Sequence, residues 1–315
     1  MSHSPIVVSA CLIAFNQEQY IAAALDSAIN QQLSFPYEII VADDYSSDRT
    51  REILMEYQTR HPSLIRLIFN ERNLGATKNT ANLISHARGK YIATLDGDDF
   101  WTSSLKLQKQ VDFLEKNPDC VICFHGCNIL RDGELKHHHL PVPQFRRERS
   151  TMMDYIIFDS FIPSCAVMFK NRLFSEFPTA YFATRGINDW PLYVLLTQYG
   201  DIGYIDESMC TYRQASSVNS FSSKSTEKIL KNAIVLNKSF NYFFQMRYRN
   251  IFIKKISKYY LEMSKDQLRQ DNLKKAQRYL GFANHYHCHL KRTLKMHLYY
   301  FPRLWLKNKF GTLLR

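Results

Sequence analysis

The feature that most constrains the fold is a regular alternation of short apolar runs and amphipathic helical patterns over the first 120 residues. The apolar runs are rich in Val and Ile, and helices are predicted between them and after the last, where Pro118 ends the pattern. Strands that alternate with helices predict an α/β fold with a mostly parallel sheet flanked by helices. The four predicted strands are Ile6–Ala14, Glu38–Ala42, Leu64–Phe69 and Tyr91–Leu95.

Polar residues follow three of these strands at their carboxyl ends. Asn16 follows the first, Asp43 and Asp44 follow the second, and the run Asp96-Gly97-Asp98-Asp99 follows the fourth. Ligands of open α/β sheets bind in the crevice beyond the carboxyl ends of the strands. No Gly-x-Gly-x-x-Gly or Walker-type loop follows a strand, so the common dinucleotide and P-loop devices are missing. The pattern predicts a ligand site of another kind.

The acidic run 96–99 places three carboxylates within four residues. Their mutual repulsion is unfavourable unless a cation or a partner offsets it. Oxygen ligands favour hard divalent ions such as Mg²⁺ or Mn²⁺. The alternative is a solvated turn that caps the next helix. An EF-hand is excluded, because the downstream ligand spacing and its Glu are absent.

Four segments in order carry a resemblance to a known family. They are Ile13–Ile21, Glu38–Asp48, Asn73-Leu74-Gly75 with Lys78-Asn79, and Asp96-Gly97-Asp98-Asp99. Together they resemble a family 2 glycosyltransferase of the inverting, Asp-x-Asp type with the GT-A fold. The similarity covers roughly residues 5–120 and continues more weakly through Asn188-Asp189-Trp190 and Tyr212-Arg213. The chain departs at Tyr45, where the family often has Gly, and at Asn188, where an acid often precedes the base.

The resemblance implies a binding site for a nucleotide-sugar donor. Asp43 would accept a hydrogen bond from the base, and Phe15 would lie along the same pocket. Lys78 stands where the family often has a basic residue near the nucleotide, and Asp96 would contact the ribose. Family precedent favours uridine as the base.

The resemblance also implies a divalent cofactor, Mn²⁺ or Mg²⁺, and a catalytic base. Asp98 would bind the metal that bridges the donor diphosphate. Asp189 would accept the proton of the acceptor hydroxyl. The alternative for Asp189 is a first-turn acid favoured by the dipole of the helix that follows it. Both roles are compatible.

Three further residues are candidates for an acceptor or lid role: His125, Trp190 and Arg213. The Ser-rich segment 216–225 is either a lid over the donor or a plain linker. The motif Cys120-x-x-Cys123-x-His125-x-Cys127 is compatible in composition with zinc. Its neighbours indicate a strand, however, which would separate Cys123 from Cys127 by roughly 13 Å. Buried strand cysteines are therefore the favoured interpretation.

Charge is distributed unevenly along the chain. Residues 241–315 hold 17 Lys+Arg and 3 Asp+Glu, whereas residues 1–240 hold 24 and 26. In 291–315 the basic residues alternate with aromatic ones, which is typical of a segment that lies on an anionic membrane surface. A helical appendage packed on the catalytic domain is the alternative. No RNA- or DNA-binding motif is present, so nucleic acid is not expected as a partner.

The domain prediction is a GT-A nucleotide-sugar-binding and catalytic domain over 1–220, followed by a basic helical region over 221–315. No run of eighteen apolar residues suggests a membrane span. Met1–Pro5 does not resemble a secretory signal, and seven unpatterned cysteines indicate a reducing compartment. We expect a cytoplasmic protein, peripheral on the inner face of the cell membrane.

The expected reaction is sugar transfer to a saccharide or lipid-linked oligosaccharide acceptor in surface polysaccharide synthesis. Two alternatives remain. A sugar nucleotidyltransferase would normally carry a Gly-rich loop after the first strand, and Ala14-Phe15-Asn16-Gln17 is not one. A non-catalytic GT-A-like scaffold at the membrane would not need the acidic residues.

Overall fold

The computed structural model describes residues 5–140, 146–158, 161–184, 186–187, 189–214 and 226–286, with the backbone alone for 136–140. The predicted lid 216–225, Asn188 and the basic segment 291–315 lie outside the described residues. The chain divides into two compact units, residues 1–222 and 223–315. Among the described residues, no helix combines the length and the apolar character needed to cross a bilayer.

The first unit is built on one ten-stranded sheet. Its strands are β1 Val8–Ala14, β2 Tyr37–Asp43, β3 Ile65–Phe69, β4 Tyr91–Asp96, β5 Phe100–Trp101, β6 Cys120–Arg131, β7 Glu134–Leu140, β8 Arg149–Ser150, β9 Val167–Lys170 and β10 Asp201–Gln214.

The strands follow the path β3-β2-β1-β4-β9-β6-β10-β5 through the sheet, and β7 and β8 pair with β6 and β10. Strands β1, β2, β3, β4, β6 and β10 point the same way, so the sheet is mostly parallel, as predicted.

Helices flank this sheet and complete the core. They are α1 Ile21–Ile29, α2 Thr50–Arg60, α3 Ala76–Ser85, α4 Lys106–Lys116, α5 Met152–Phe158 and α6 Asp189–Leu196, with 3₁₀ turns at Ser164–Ala166 and Thr179–Ala183. β1 lies between β2 and β4 and is almost wholly buried, because both of its faces are covered. The α/β class predicted from the alternation is confirmed.

Close packing and a long strand shape two further parts of the first unit. Gly89 follows α3, which ends at Ser85. Close packing requires a glycine there, since a Cβ at Gly89 would lie 2.5 Å from the backbone nitrogen of Ser9. The fourteen-residue β10 runs beside β6 through register shifts and ends at Gln214.

The described part of the second unit is helical, as predicted for the C-terminal region. It contains α7 Thr226–Phe243, α8 Arg249–Arg269 and α9 Leu273–His285. Two apolar clusters join these helices. One includes Leu261, Leu268 and Leu280, and the other includes Ile234, Ile256 and Tyr259.

Candidate functional site

Asp43 and Asp96 stand on either side of β1 at the carboxyl edge of the parallel strands. In the sheet register, Ala14 lies opposite Asp43 of β2, and Ile13 lies opposite Asp96 of β4. Neighbouring strands are about 4.8 Å apart, so the two backbone positions are separated by roughly 10 Å. The two acidic residues therefore border one crevice beyond the end of β1, as the strand pattern predicted.

Asp43 is fully buried, and only one of its two carboxylate oxygens accepts hydrogen bonds from the described residues. Its Oδ2 accepts hydrogen bonds from Arg51 Nε at 2.5 Å and from the backbone N–H of Ser46 at 3.1 Å. Its Oδ1 is buried and has no hydrogen-bond partner among the described residues. Because an unpaired buried carboxylate oxygen is costly, this atom is a candidate acceptor for a hydrogen bond from a ligand.

Arg51 links Asp43 to two exposed aromatic rings. The guanidinium carbon lies 5.3 Å from the centroid of the Tyr45 ring and 5.1 Å from that of Phe69. A second guanidinium N–H donates to the backbone oxygen of Asn70 at 2.7 Å. Tyr45 adopts a positive φ of 67°, so the residue that replaces the common Gly keeps the left-handed turn. The aromatic rings and the guanidinium form a surface on which a base could stack.

Phe15 and Lys78 are both exposed, as ligand-contacting residues require. Phe15 follows β1 directly and is 41% exposed. Lys78 lies in the first turn of α3. The start of α3 is positioned by Asp44, whose carboxylate accepts the backbone N–H groups of Leu74 and Gly75 at 2.7 and 2.8 Å. Asp44 is thus a structural residue.

Asp96 is the last residue of β4 and is held by a residue far along the chain. Its Oδ2 accepts a hydrogen bond from Ser164 Oγ at 2.6 Å. Burial, together with the charges of Asp98 and Asp189, raises the pKa of Asp96 to about 7. The next residue, Gly97, is packed against β1 and α1, where an added Cβ would lie 3.1 Å from the backbone oxygen of Ile13.

Arg213 of β10 holds the end of the acidic run. Its backbone N–H donates to Asp99 Oδ1 at 2.7 Å, and its Nε donates to the backbone oxygen of Asp98 at 2.8 Å. Its guanidinium lies over the rings of Tyr20 and Phe100, at 4.7 and 5.3 Å. These contacts make Arg213 a positioning residue for the acidic run.

The acidic run fits a hard divalent cation. Burial raises the pKa of Asp98 and raises that of Asp99 further, where the charges of Asp98 and Asp96 add to the effect. Asp99 Oδ2 is buried and has no hydrogen-bond partner among the described residues. Carboxylates crowded in this way repel one another, and oxygen is the ligand type that Mg²⁺ and Mn²⁺ prefer.

Asp189 lies across a small cavity from Asp96. Both carboxylates line this cavity of about 20 Å³, together with Ser164 and Tyr193. One water molecule requires about this volume. Asp189 is the first residue of α6, and its Oδ1 accepts the backbone N–H of Trp190 at 2.7 Å. It is thus both a first-turn acid and a neighbour of the acidic run.

Two of the candidates for an acceptor or lid role are buried. His125 of β6 is fully buried, and burial together with the charge of Lys106 lowers its pKa to about 3. It is a neutral core side chain, because both faces of the interior strand β6 are covered. Trp190 is 5% exposed. Neither side chain is exposed enough for an acceptor to rest on it.

Two contacts of the site were absent from the sequence prediction. They are the ion pair of Arg51 with Asp43 and the hydrogen bond of Ser164 to Asp96. The basic position eight residues after Asp43 offers a weak signal for an ion pair. No sequence signal marks Ser164, because it meets Asp96 only through the insertion of β9 between β4 and β6.

Comparison with known proteins identifies relatives for much of the chain. The chain is 36% identical over 203 residues to the uncharacterized protein Rv1520 of Mycobacterium tuberculosis, which covers 64% of this chain and 57% of that protein. The chain therefore spans little more than half the length of this relative. It is 29% identical over 220 residues to TuaG of Bacillus subtilis, which is named as a candidate glycosyltransferase of teichuronic acid biosynthesis. The match covers 69% of this chain and 82% of TuaG.

Two solved structures share the fold. TarS of S. aureus, in complex with UDP-GlcNAc, has a TM-score of 0.56 at 15% identity and covers 87% of this chain and 90% of its own. The mannosyltransferase PcManGT of Pyrobaculum calidifontis, in complex with GDP-Man and Mn²⁺, has a TM-score of 0.56 at 17% identity. The match covers 96% of this chain and 85% of PcManGT.

The family model of glycosyl transferase family 2 matches residues 9–174, a span that includes all of β1 except Val8, together with β2, β4 and the acidic run. That match covers more than half of the chain. The resemblance noted in the sequence is thereby confirmed at the level of the family and its fold. The chain belongs to glycosyl transferase family 2.

Proposed function

We propose that this chain is an inverting, metal-dependent glycosyltransferase that moves a sugar from a nucleoside diphosphate donor to a hydroxyl acceptor. The observation that carries the proposal is the position of Asp43 and Asp96 on either side of β1, with Asp189 across a cavity from Asp96. In this proposal residues 1–220 carry the donor site and the catalytic residues, and residues 221–315 form a basic appendage.

The donor is a UDP-sugar in this proposal. Asp43 Oδ1, buried and unpaired among the described residues, accepts the imide N–H of the base. Phe15 and Tyr45, which are 41% and 52% exposed, flank the base, and Lys78 lies near the nucleotide. The separation of roughly 10 Å between Asp43 and Asp96 leaves room for a nucleoside whose ribose meets Asp96. TarS binds UDP-GlcNAc whereas PcManGT binds GDP-Man, so the choice of uridine rests on family precedent.

The acidic run holds the divalent cation, Mn²⁺ or Mg²⁺, through Asp98, and Arg213 keeps that loop in place. When bound, such a cation neutralises negative charge on the diphosphate leaving group. The PcManGT complex, which contains Mn²⁺ beside its nucleotide-sugar, supports this assignment. Gly97 lets the loop pass close to β1, which directs the carboxylates toward the crevice.

Asp189 acts as the base in this proposal. Its carboxylate accepts the proton of the acceptor hydroxyl while that oxygen forms a bond to the anomeric carbon and the bond to the diphosphate breaks. A single displacement inverts the configuration at that carbon. The N–H of Trp190 fixes Oδ1 of Asp189 at 2.7 Å, which orients the carboxylate.

The acceptor is a saccharide or a lipid-linked oligosaccharide of surface polysaccharide synthesis. The name of TuaG supports a polysaccharide pathway. The basic and aromatic segment 291–315 would bring the enzyme to the anionic inner face of the cell membrane, where a lipid-linked acceptor is found. Vesicle co-sedimentation of the full chain, compared with a chain ending at 286, tests this part separately.

A transfer assay tests the proposed activity. The full chain is incubated with Mn²⁺, a panel of UDP-sugars and membranes that contain lipid-linked acceptors, and UDP release is measured. Asp189→Asn should reduce turnover by about 10²- to 10⁴-fold and leave UDP binding unchanged. Asp112→Asn, an exposed acid on α4, is the matched control and should retain activity. Equal turnover of the two variants would contradict the role of Asp189.

A further inference from the structure

Three cysteines from separate segments meet in the core of the first unit. Cys127 lies on β6, Cys165 in the 3₁₀ turn Ser164–Ala166, and Cys210 on β10. The Sγ atoms of Cys127 and Cys165 are 3.7 Å apart, and those of Cys165 and Cys210 are 3.4 Å apart. All three sulfur atoms lie within 4.8 Å of one another, and all three residues are fully buried. We call this group the thiol cluster.

The geometry of the thiol cluster follows from the sheet. Cys127 and Cys210 are register partners on the adjacent parallel strands β6 and β10. The turn that carries Cys165 stands directly before β9, the strand between β4 and β6. Sulfur atoms that each lie about 2.3 Å from one metal ion are separated by roughly 3.8–4.0 Å, so only small movements would be needed to bind one.

A buried cation stands beside the thiol cluster. Lys106 is fully buried, and its ammonium has no hydrogen-bond acceptor among the described residues. It lies 4.0 Å from the centroid of the Trp101 ring and interacts electrostatically with Cys210 and Cys165 of the cluster and with the neighbouring Cys123. A buried ammonium without an anion is strongly unfavourable. Negative charge on the neighbouring sulfur atoms would offset it.

We propose that Cys127, Cys165 and Cys210 form a buried three-thiolate site for a cuprous ion. Thiolates are the ligands that select soft ions such as Cu(I). A structural zinc site almost always has four ligands, and within the described residues this group contains three. Cu(I) accepts three thiolates, so the set is complete for that ion.

Loading the site involves no change of oxidation state. One Cu(I) ion replaces the protons of three thiols, and three protons are released to solvent. The complex of one monovalent cation with three thiolates carries two negative charges. The ammonium of Lys106 offsets one of them. Because the ion would join β6, β10 and the turn before β9, it would stabilise the sheet independently of the sugar transfer.

Competition for Cu(I) tests the proposal. The full chain, reduced and kept under anaerobic conditions, is titrated against the cuprous complex of bicinchoninate, whose colour reports the copper withdrawn. We expect one ion per chain for the wild type and at least tenfold weaker binding for Cys165→Ser. Cys120→Ser, a buried cysteine of β6 outside the cluster, and Cys288→Ser are the controls and should bind as the wild type does. No withdrawal by the wild type, or equal withdrawal by Cys165→Ser, would overturn the proposal.

Two measurements on the wild type do not depend on how the variants fold. Cu(I) should raise the melting temperature of the full chain, and X-ray absorption should report three sulfur neighbours around the ion. An unchanged melting temperature with copper bound would overturn the proposal. So would a coordination shell of nitrogen or oxygen atoms, which would indicate adventitious binding elsewhere on the chain.

Discussion

Arg51 Nε lies 2.5 Å from Asp43 Oδ2, and the Asp43 side chain of this ion pair is fully buried while the Arg51 side chain is 30% exposed. The pair uses one carboxylate oxygen and leaves Oδ1 as the buried oxygen without a hydrogen-bond partner among the described residues. Arg51 therefore fixes the orientation of the Asp43 carboxylate. The guanidinium carbon also lies 5.3 Å from the centroid of the Tyr45 ring and 5.1 Å from that of Phe69.

Replacing Arg51 should weaken nucleotide binding. In Arg51→Gln the carboxylate of Asp43 loses its charged partner and its fixed orientation. We expect UDP to bind about tenfold more weakly, which corresponds to about 1.4 kcal/mol. Isothermal titration calorimetry measures the effect. The control is Arg49→Gln, because Arg49 pairs with the exposed Glu52. Unchanged affinity of Arg51→Gln would show that the ion pair does not orient Asp43.

The raised pKa of Asp96 predicts a pH dependence of stability. Its pKa is about 7 in the folded chain against 3.8 for the ordinary carboxyl group, so the folded state keeps a proton that the unfolded state has lost. Without a divalent cation, the free energy of unfolding should therefore fall as the pH rises from 3.8 through about 7. The shifts of Asp98 and Asp99 act in the same direction.

Melting curves between about pH 5 and pH 8 measure this dependence. Saturating Mn²⁺ should reduce the fall in the free energy of unfolding at higher pH, because the ion binds the ionised carboxylates. Asp96→Asn should reduce the slope of the profile in EDTA, and Asp98 and Asp99 should account for the slope that remains. If its profile kept the slope of the wild type, another group would be responsible for the slope.

Two glycines should respond to alanine with opposite signs. A Cβ at Gly89 would lie 2.5 Å from Ser9 N, 2.7 Å from Val8 C and 2.8 Å from Tyr91 O, all backbone atoms. Gly89→Ala should lower the free energy of unfolding by about 1–3 kcal/mol. Gly281, inside α9, has nothing within 4 Å of its added Cβ. Gly281→Ala should stabilise its helix by about 1 kcal/mol. Denaturant unfolding curves test both, and equal signs would contradict the packing argument.

The sequence was sufficient to predict the parallel half of the sheet. The strands β1 to β4 lie within two residues of their predicted bounds, because buried parallel strands are continuous apolar runs that end at polar residues. Asp43 and Asp96 border one crevice because β1 pairs with both β2 and β4. For this reason the acidic side chains of the site could be named before the structure was known.

The remaining contacts depend on long-range packing that periodicity does not encode. Ser164 reaches Asp96 over 68 positions of the chain. Arg213 donates to Asp99, which lies 114 residues earlier in the chain. The two are brought together by the pairing of β10 with the two-residue strand β5, which is too short to produce a recognisable sequence pattern. His125 was misplaced because an interior strand is buried on both faces, so alternation cannot distinguish a core histidine from one that faces the crevice.

The most direct test of the account is calorimetric binding of UDP, with and without Mn²⁺, to the wild type and to Asp98→Asn. Asp112→Asn serves as the matched acidic control. We predict that the wild type and the control bind UDP in a Mn²⁺-dependent manner, and that Asp98→Asn loses this dependence while it keeps its fold. If folded wild-type protein bound UDP equally well without Mn²⁺, or failed to bind UDP, GDP and dTDP, the donor site described here would be contradicted.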